Sequence, residues 1–297
     1  MKLINSKVEI LEQLPGYDGV TKQIEIAGRT CYKSEDKITE DSSKEFVQRM
    51  INSGHTAMLE HGTVYLTIPH KDAEYFDTLY YSCNKYSIVN MKEVSTPDHF
   101  DYFITTNLRV MVEGDRLDDL TYRTEPTEYH ERRIAARFTC SRAIANEIVR
   151  HRVMSFAQES QRYCNYTKDK FANEITFIIP SDIDLPEGQY IYLDNDWCDI
   201  NKMKMQFHEG DHEDIDAYLW LLNNAETTYT LLINKGWKPQ KARGVLPNDT
   251  KTEIVVTGFE KDWEHFFDLR CAPSAHPDIQ KLANDLYFKL YNKKYAK

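Results

Sequence analysis

The sequence lacks the paired cysteines that build disulfide scaffolds and zinc knuckles. Its six cysteines are scattered over 297 residues, and no C-x-x-C pair occurs. This pattern is typical of reduced thiols in the cytoplasm, where we expect the protein to reside. An apolar run of the ~18 residues that a membrane span needs is missing, and the first residues do not resemble a signal peptide. We therefore expect no membrane partner.

The sequence also lacks two nucleotide-binding fingerprints and an excess of basic residues. Neither G-x-G-x-x-G after a strand nor G-x-x-x-x-G-K-[ST] occurs, so there is no Rossmann or P-loop signal. The formal net charge of −10 argues against nucleic acid or an anionic membrane as the main partner. A local basic pocket for a small anion remains compatible with this balance.

The hydrophobic share of 41% is sufficient for a packed core. No internal repeat or low-complexity linker divides the chain, so we expect one catalytic domain over residues 1–297. Predicted strands and helices interleave without a regular βαβ rhythm, which favours an α+β fold. The predicted strands include 8–11, 63–68, 102–112, 133–139, 176–179 and 253–257, and the predicted helices include 20–29, 42–52, 213–235, 261–271, 278–290 and one running from Ser141 into Arg150.

An acidic segment follows Ser181, with eleven acidic and two basic residues up to Asp216. We interpret it as a solvated insertion near 181–212. Within it, His208-Glu209-Gly210-Asp211-His212 fits the H-E-x-x-H pattern of zinc hydrolases. Gly210 weakens a helix there, and Asp211 fits better as the cap of the next helix. We therefore predict no metal and keep a zinc hydrolase using His208 and His212 as a minor alternative.

The segment from Arg150 to Tyr163 has the densest polar chemistry in the chain. It contains three arginines, a histidine, two serines and two glutamines. Between Glu131 and Arg152 there are six arginines and two acids, which indicates an anion site within an acidic protein. Residues 150–152 cannot all face one ligand from a regular helix, because successive side chains point about 100° apart. They need a helix end or several ligands.

Two other segments are polar enough to contribute to a site. Gly54 to Gly62 places His55, Glu60 and His61 in a loop before a strand, where local hydrogen bonding is as good an explanation as a ligand contact or a metal pair. Near the C-terminus, Arg243 precedes Leu246-Pro247, and Arg270 ends an aromatic helix. An arginine in the position of Arg270 is either a helix C-cap or a ligand group.

Together these blocks resemble the flavin-dependent thymidylate synthases. Arg150-His151-Arg152, seven residues and Ser160 meet the family's R-H-R-x7-S signature, and Arg162-Tyr163 follow as usual. His55 with Glu60-His61, Ala242-Arg243 with Leu246-Pro247, and the segment from Thr257-Gly258 to Arg270 match three further blocks in the same order. Four blocks in order are far more specific than one R-H-R.

The resemblance implies an α+β fold of the thymidylate synthase-complementing type, mainly an antiparallel sheet flanked by helices. It implies a homotetramer with shared active sites that converts dUMP to dTMP. Methylenetetrahydrofolate would donate the carbon, FAD would carry the hydride and NADPH would be the reductant. Because hydride from reduced flavin activates the pyrimidine, no cysteine nucleophile is required.

The resemblance also implies roles for individual residues. FAD would be bound by His55, Arg150, His151, Arg152, Gln158 and His265. dUMP would be bound by Glu147, Arg150, Gln158, Ser160, Gln161, Arg162, Arg243 and Arg270. Among these, Arg270 would be catalytic, because a fixed cation in a dry site would stabilise the anionic, activated pyrimidine.

The chain departs from the family pattern at several positions. Many members have Asn-Glu where this chain has Ala157-Gln158, and Phe259 replaces an asparagine that contacts FAD. Glu147 stands where glutamine is common, and an acid is awkward near a phosphate. The segments 71–130 and 181–212 are enlargements over compact members. A non-catalytic FAD- and nucleotide-binding member is therefore the main alternative.

Overall fold

The computed structural model describes residues 1–94, 99–193, 196–199, 204–205 and 213–295. The helices in this part are α1 (Gly16–Tyr32), α2 (Ser42–Asn52), α3 (His70–Ala73), α4 (Thr78–Ser82), α5 (Leu108–Glu113), α6 (Arg142–Ile148), α7 (Glu213–Asn234), α8 (Pro239–Ala242), α9 (Glu260–Arg270) and α10 (Pro277–Tyr291). The strands are β1 (Lys2–Ile4), β2 (Lys7–Ile10), β3 (Thr63–Ile68), β4 (Ile88–Glu93), β5 (Phe100–Asn107), β6 (Arg133–Ser141), β7 (Ser155–Gln158), β8 (Thr176–Ile178), β9 (Gly188–Leu193), β10 (Asp196–Asp199), β11 (Lys204–Met205) and β12 (Lys251–Phe259).

A four-stranded antiparallel sheet in the order β2-β6-β12-β7 forms the centre of the fold. Side chains alternate between its faces, as strand geometry requires. Ile254 and Val256 of β12 pack with Trp263 and other aromatic residues of α9, whereas Val255 packs with Ala27 of α1 on the opposite face. The central sheet therefore lies between α1 on one side and α6, α9 and α10 on the other.

Two further sheets extend this centre. Strands β3, β5 and β4 form an antiparallel sheet in the order β3-β5-β4, whose core includes residues of α1 and α2. Strands β11, β10, β9, β1 and β8 form another, in which β1 and β8 are parallel. Leu219, Leu222 and Tyr229 of α7 are buried in the same core as β1 and β8. The fold is α+β, as predicted.

Some of the predicted helices and strands agree with the structure, and others do not. The predicted bounds of α2 and β3 are confirmed, and β6, α7, α9, α10 and β12 lie where they were predicted. The strand predicted over 102–112 is wrong in its second half: Asn107 accepts a hydrogen bond from the Val110 amide at 3.2 Å and starts α5. The helix after Ser141 ends at Ile148, before Arg150. Strand β7 was not predicted.

No described helix is long and apolar enough to cross a lipid bilayer. His208, Asp211 and His212 lie outside the described residues. Within the part of the chain that the structure describes, no group of three or more His, Cys, Asp or Glu side chains is arranged to hold a metal ion.

Candidate functional site

Arg150, His151 and Arg152 lie in a turn between α6 and β7. Ser141 caps α6, because its hydroxyl oxygen accepts a hydrogen bond from the Ile144 amide at 3.2 Å. The chain then leaves the helix through a tight turn, in which the His151 amide donates to the Ile148 carbonyl at 3.2 Å. His151 is buried, whereas Arg150 and Arg152 are exposed. The three side chains are therefore displayed from a helix end, which is one of the two arrangements that the sequence allowed.

Arg270, the last residue of α9, reaches this turn. Its Nε–H donates to His151 Nε2 at 3.1 Å, and its Nη1 donates to Glu147 Oε2 at 2.6 Å. Its Nη2 donates to the Glu147 main-chain carbonyl at 2.9 Å. The Arg270 side chain is 15% exposed, so these bonds are only partly screened by water. The C-terminal ends of α6 and α9 thus meet through this arginine.

The surroundings of His151 keep its imidazole neutral. Its ring lies 4.9 Å from the Phe266 ring and 6.0 Å from the His265 ring, measured between centroids. Burial, together with the nearby charges of Arg270 and His265, lowers the pKa of His151 to about 4. At neutral pH, His151 is consequently an uncharged hydrogen-bonding group between two helices.

Strand β7 separates this turn from a second polar turn. Its four residues span about 13 Å, with Arg152 before one end and Ser160 beyond the other. The Ser160 amide donates to the Cys31 carbonyl at 2.9 Å, which ties the second turn to the end of α1. Gln158 Nε2 donates to Thr252 Oγ1 at 3.4 Å. Beyond it, Gln161 is buried and Arg162 is exposed.

A buried ionic network supports the second turn, and sequence reasoning missed it. The Glu159 carboxylate, 1% exposed, accepts hydrogen bonds from Lys251 Nζ at 3.0 Å and from the Tyr166 hydroxyl at 3.1 Å. Lys251 also pairs with Glu253 at 2.6 Å, and Glu253 pairs with Lys33 at 2.9 Å. Glu159 directly precedes Ser160, but its partner is 92 positions away along the chain, so no local pattern indicated the network.

In the segment 54–62, the side chains of Glu60 and His61 make contacts inside the protein, whereas the side chain of His55 is exposed. The Glu60 carboxylate pairs with Arg109, and His61 Nδ1 lies 2.8 Å from Thr257 Oγ1. Burial and the Arg133 charge lower the pKa of His61 to about 3. These two residues therefore take part in internal hydrogen bonding, whereas His55 is exposed.

Several predicted site residues have no partner in the described part of the chain. There, the exposed side chains of Arg150, Arg152, Arg243 and His55 make no ion pair or hydrogen bond. A cavity of about 650 Å³ lies between the start of α1, β3 and residues 123–135, and His61 is among its lining residues, but none of the residues predicted to bind FAD or dUMP lines it. In the described chain, Arg150 and Arg152 thus project unpaired from the same turn as His151, beside the fixed Glu147–Arg270–His151 cluster, whereas no hydrogen bond or ion pair joins Arg243 or His55 to that cluster.

Comparison with known proteins identifies the family. The family model described as "Thymidylate synthase complementing protein" matches residues 125–293, which is more than half of the chain. The chain belongs to this family. The match includes both polar turns, α9 and Arg243.

The curated relatives that match are flavin-dependent thymidylate synthases. Those of Geobacter sulfurreducens and Pyrococcus furiosus are 30% and 29% identical over 146 and 144 residues, which cover 49% and 48% of this chain and 50% and 48% of theirs. The chain thus spans about half the length of these relatives. The enzyme of Corynebacterium glutamicum is 24% identical over 280 residues, covering 92% of this chain and 76% of its own.

A solved structure of the UMP/dUMP methylase PolB from Streptomyces cacaoi, bound with 5-Br dUMP, also matches. It has a TM-score of 0.43 and 15% identity, and the match covers 98% of this chain and 93% of that one. A likeness at this level adds no detail to the site.

The departures from the family pattern have structural explanations. Ala157 is 1% exposed and packs with Ala27 and Val255 beneath α1, where a larger polar side chain would be crowded. Phe259 is 5% exposed, and its ring lies 5.4 Å from the Arg133 guanidinium carbon. Glu147, an acid where glutamine is common in the family, is paired with Arg270. In this family member, all three residues have contacts within the chain.

Proposed function

We propose that the protein is a flavin-dependent thymidylate synthase, which reductively methylates dUMP to dTMP. The proposal rests on the exposed, unpaired arginines of the turn between α6 and β7. Arg150 and Arg152 are exposed cations without partners among the described residues, and they flank the fixed Arg270–His151 pair. In a protein of net charge −10, unpaired arginines on one turn suit phosphate-bearing ligands.

The residues present fit the proposed cofactor and substrate. FAD would be bound by Arg150, His151, Arg152 and His265 around the first turn, with Gln158 and His55 as further contacts. The dUMP phosphate would be held by Ser160, Gln161 and Arg162 at the second turn, with Arg243 as an additional cation. Glu147 and Arg270 would lie towards the pyrimidine. A strand of about 13 Å between the turns is compatible with two ligands lying side by side.

Arg270 would act by electrostatic stabilisation. Three of the five N–H groups of its guanidinium are anchored to Glu147 and His151, so two remain to donate to a pyrimidine oxygen as negative charge develops there. Bound reduced FAD would supply the hydride, methylenetetrahydrofolate the carbon, and NADPH the reducing equivalents. The role of this chain is then to orient the ligands and to stabilise charge.

The environments of four of the six cysteines support a mechanism without a thiol nucleophile. Burial raises the pKa of Cys31, Cys140 and Cys164 to about 12, and that of Cys271 to about 11. These thiols are therefore protonated at neutral pH and poorly nucleophilic.

The exposed residues of the site also support a homotetramer with shared active sites. Val153, 61% exposed, and Leu269, 50% exposed, are apolar residues next in sequence to Arg152 and Arg270. Burial of such side chains between subunits would stabilise an assembly. His55 and Arg243 would join the cluster from neighbouring subunits. We further propose that residues 1–297 act as one catalytic domain in the cytoplasm, with insertions near 71–130 and 181–212.

The visible spectrum of the purified protein tests this function. We expect bound flavin to give a yellow protein whose spectrum changes when dUMP is added, and dTMP to form when methylenetetrahydrofolate and NADPH are also present. A colourless protein that takes up no FAD contradicts the proposal. Binding of FAD and dUMP without dTMP formation would instead identify a non-catalytic member of the family.

A further inference from the structure

The hydrogen bond between Arg270 and His151 restricts the protonation of the histidine. An arginine Nε carries a hydrogen and can only donate, so His151 Nε2 has to be the acceptor in this 3.1 Å contact. An acceptor nitrogen carries no proton, and the proton of the neutral imidazole must therefore be on Nδ1. His151 can consequently offer a ligand a hydrogen-bond donor, but not a basic nitrogen.

The position of Arg270 depends in turn on Glu147. The Glu147 carboxylate and its main-chain carbonyl accept two of the three hydrogen bonds that hold the guanidinium. Charge-assisted bonds of this kind are the strongest available to an arginine. His151 alone, through one neutral acceptor, would leave the long Arg270 side chain free to choose other rotamers.

We propose that Glu147 is a positioning residue, which holds the Arg270 guanidinium and thereby fixes His151 as the neutral imidazole with its proton on Nδ1. The catalytic consequence rests on the proposed function, in which Arg270 contacts the pyrimidine and His151 contacts the flavin. The charged and titratable groups around His151 are Arg270 and His265 on α9, Glu147 on α6, and Arg150 and Arg152 on its own turn.

NMR of histidine-labelled protein tests this positioning without any ligand. His151 is assigned by the signal that disappears in His151→Gln. In the wild-type protein we expect the Nδ1–H tautomer, titrating only near pH 4. In Glu147→Ala, Arg270 is released and its repulsion of a protonated His151 is lost. The pKa of His151 should therefore rise, and both tautomers should appear.

Two further variants test whether Glu147 changes the pKa and tautomer of His151 through Arg270. Glu147→Gln keeps an oxygen that can accept from Nη1 and should restore the wild-type tautomer. Arg270→Met should raise the pKa of His151 by itself. Adding Glu147→Ala to Arg270→Met should raise it no further, because the loss of a nearby carboxylate alone can only lower the pKa of a histidine. Glu264→Gln, an exposed acid on α9, is the matched control and should change nothing.

Kinetics separate this inference from the proposed function. In Glu147→Ala we expect kcat for dTMP formation to fall about 100-fold, as misplacement of a reacting group by about 1 Å can cause, while FAD content is unchanged and Glu147→Gln recovers most of the activity. If wild-type protein makes no dTMP but the NMR shifts occur, the function is wrong and the positioning stands. An unchanged or lowered pKa of His151 in folded Glu147→Ala overturns the positioning role.

Discussion

At the scale of single residues, Arg270 is the group on which the proposed chemistry depends. It is anchored at three N–H groups and has two left for a ligand, which is the preorganised arrangement that makes electrostatic stabilisation effective. It is held by Glu147 of α6 and His151 of the following turn, and in the proposed function its two free N–H groups face the pyrimidine, whereas several other residues also bind FAD. Its loss should therefore affect chemistry more than cofactor binding.

Replacement of Arg270 by alanine should abolish measurable turnover and leave FAD bound. Loss of one preorganised donor typically costs about 10²–10³ in kcat, and we expect at least that. The measurements are dTMP formation and the flavin absorbance of the purified variant. Arg132→Ala removes an exposed arginine paired with Glu260 and serves as the control. Loss of flavin in Arg270→Ala would show that the role of this residue is misassigned.

Replacement of each cysteine by serine, one at a time, should leave turnover largely intact. The described buried thiols have pKa values raised by burial, so none is a ready nucleophile. Serine at a buried position can cost stability, and turnover should therefore be normalised to folded protein. A variant that is folded and binds FAD but makes no dTMP would indicate that the replaced cysteine takes part in the reaction.

At the scale of elements, the turn that holds Ser160 is fixed by buried charges. Burial alone would raise the pKa of Glu253, but Lys251 and Lys33 outweigh it and lower this pKa to about 2. A carboxylate with a lowered pKa stabilises the fold above its ordinary value of 4.5, and this contribution is lost as pH falls towards 2. The network should therefore make the fold sensitive to acid.

The acid sensitivity can be assigned to Glu253 by chemical denaturation at several pH values. A shift from 4.5 to about 2 corresponds to about 3 kcal/mol of unfolding free energy. We expect the wild-type protein to lose this amount between about pH 5 and pH 2, and Glu253→Gln to show a flatter dependence. An equally steep dependence in Glu253→Gln would mean that other carboxylates cause the acid sensitivity.

Lys251 is shared by Glu159 and Glu253, and its removal should lower the free energy of unfolding more than removal of a surface lysine. Lys251→Met leaves Glu159 buried without its ion-pair partner, and the expected loss is about 3–5 kcal/mol of unfolding free energy. Lys7→Met breaks the exposed pair with Glu9 and should cost no more than about 1 kcal/mol. Similar losses in the two variants would show that the Glu159–Lys251 contact is not formed as described.

The sequence predicted strongly periodic elements better than short ones. The bounds of α2 and β3 could be read from apolar spacing and from the glycine and proline beyond them. Strand β7 could not, because its four residues follow an arginine-rich turn and gain strand structure only by pairing with β12. The apolar, β-branched run of residues 108–112 predicts a strand, but Asn107, the last residue of β5, caps a helix there.

For the candidate site, the sequence indicates residue types but not the contacts between them. The R-H-R turn and Ser160 are local patterns, so they could be recognised without a structure. The Glu147–Arg270 pair joins residues 123 positions apart, and the Glu159–Lys251 pair joins residues 92 apart. Such contacts follow from the β6–β12 pairing and from the placement of α9 on the sheet, which no local pattern encodes.

At the scale of the whole molecule, the proposed function has subunits that complete one another's sites. His55 and Arg243 are exposed and have no hydrogen bond or ion pair with the Arg270 cluster within the described ranges. We expect the native mass to be that of four 34.9 kDa chains. Analytical ultracentrifugation checks this, and a monomeric active enzyme would contradict it.

Complementation between inactive variants tests the sharing of sites directly. If Arg243 and Arg270 of one site come from different subunits, co-expressed Arg243→Ala and Arg270→Ala chains should mix and regain about a quarter of the wild-type activity, because one random pairing in four keeps both arginines. Mixed tetramers without activity would show that both arginines act from the same subunit.

Single turnover of the FAD-loaded, prereduced protein measures whether reduced flavin alone drives the methylation of dUMP. With dUMP and methylenetetrahydrofolate, and without NADPH, we predict that dTMP forms in an amount equal to the flavin that is reoxidised. Formation of dTMP at the same rate in flavin-free protein, or reoxidation of flavin under anaerobic conditions without dTMP, would contradict the account.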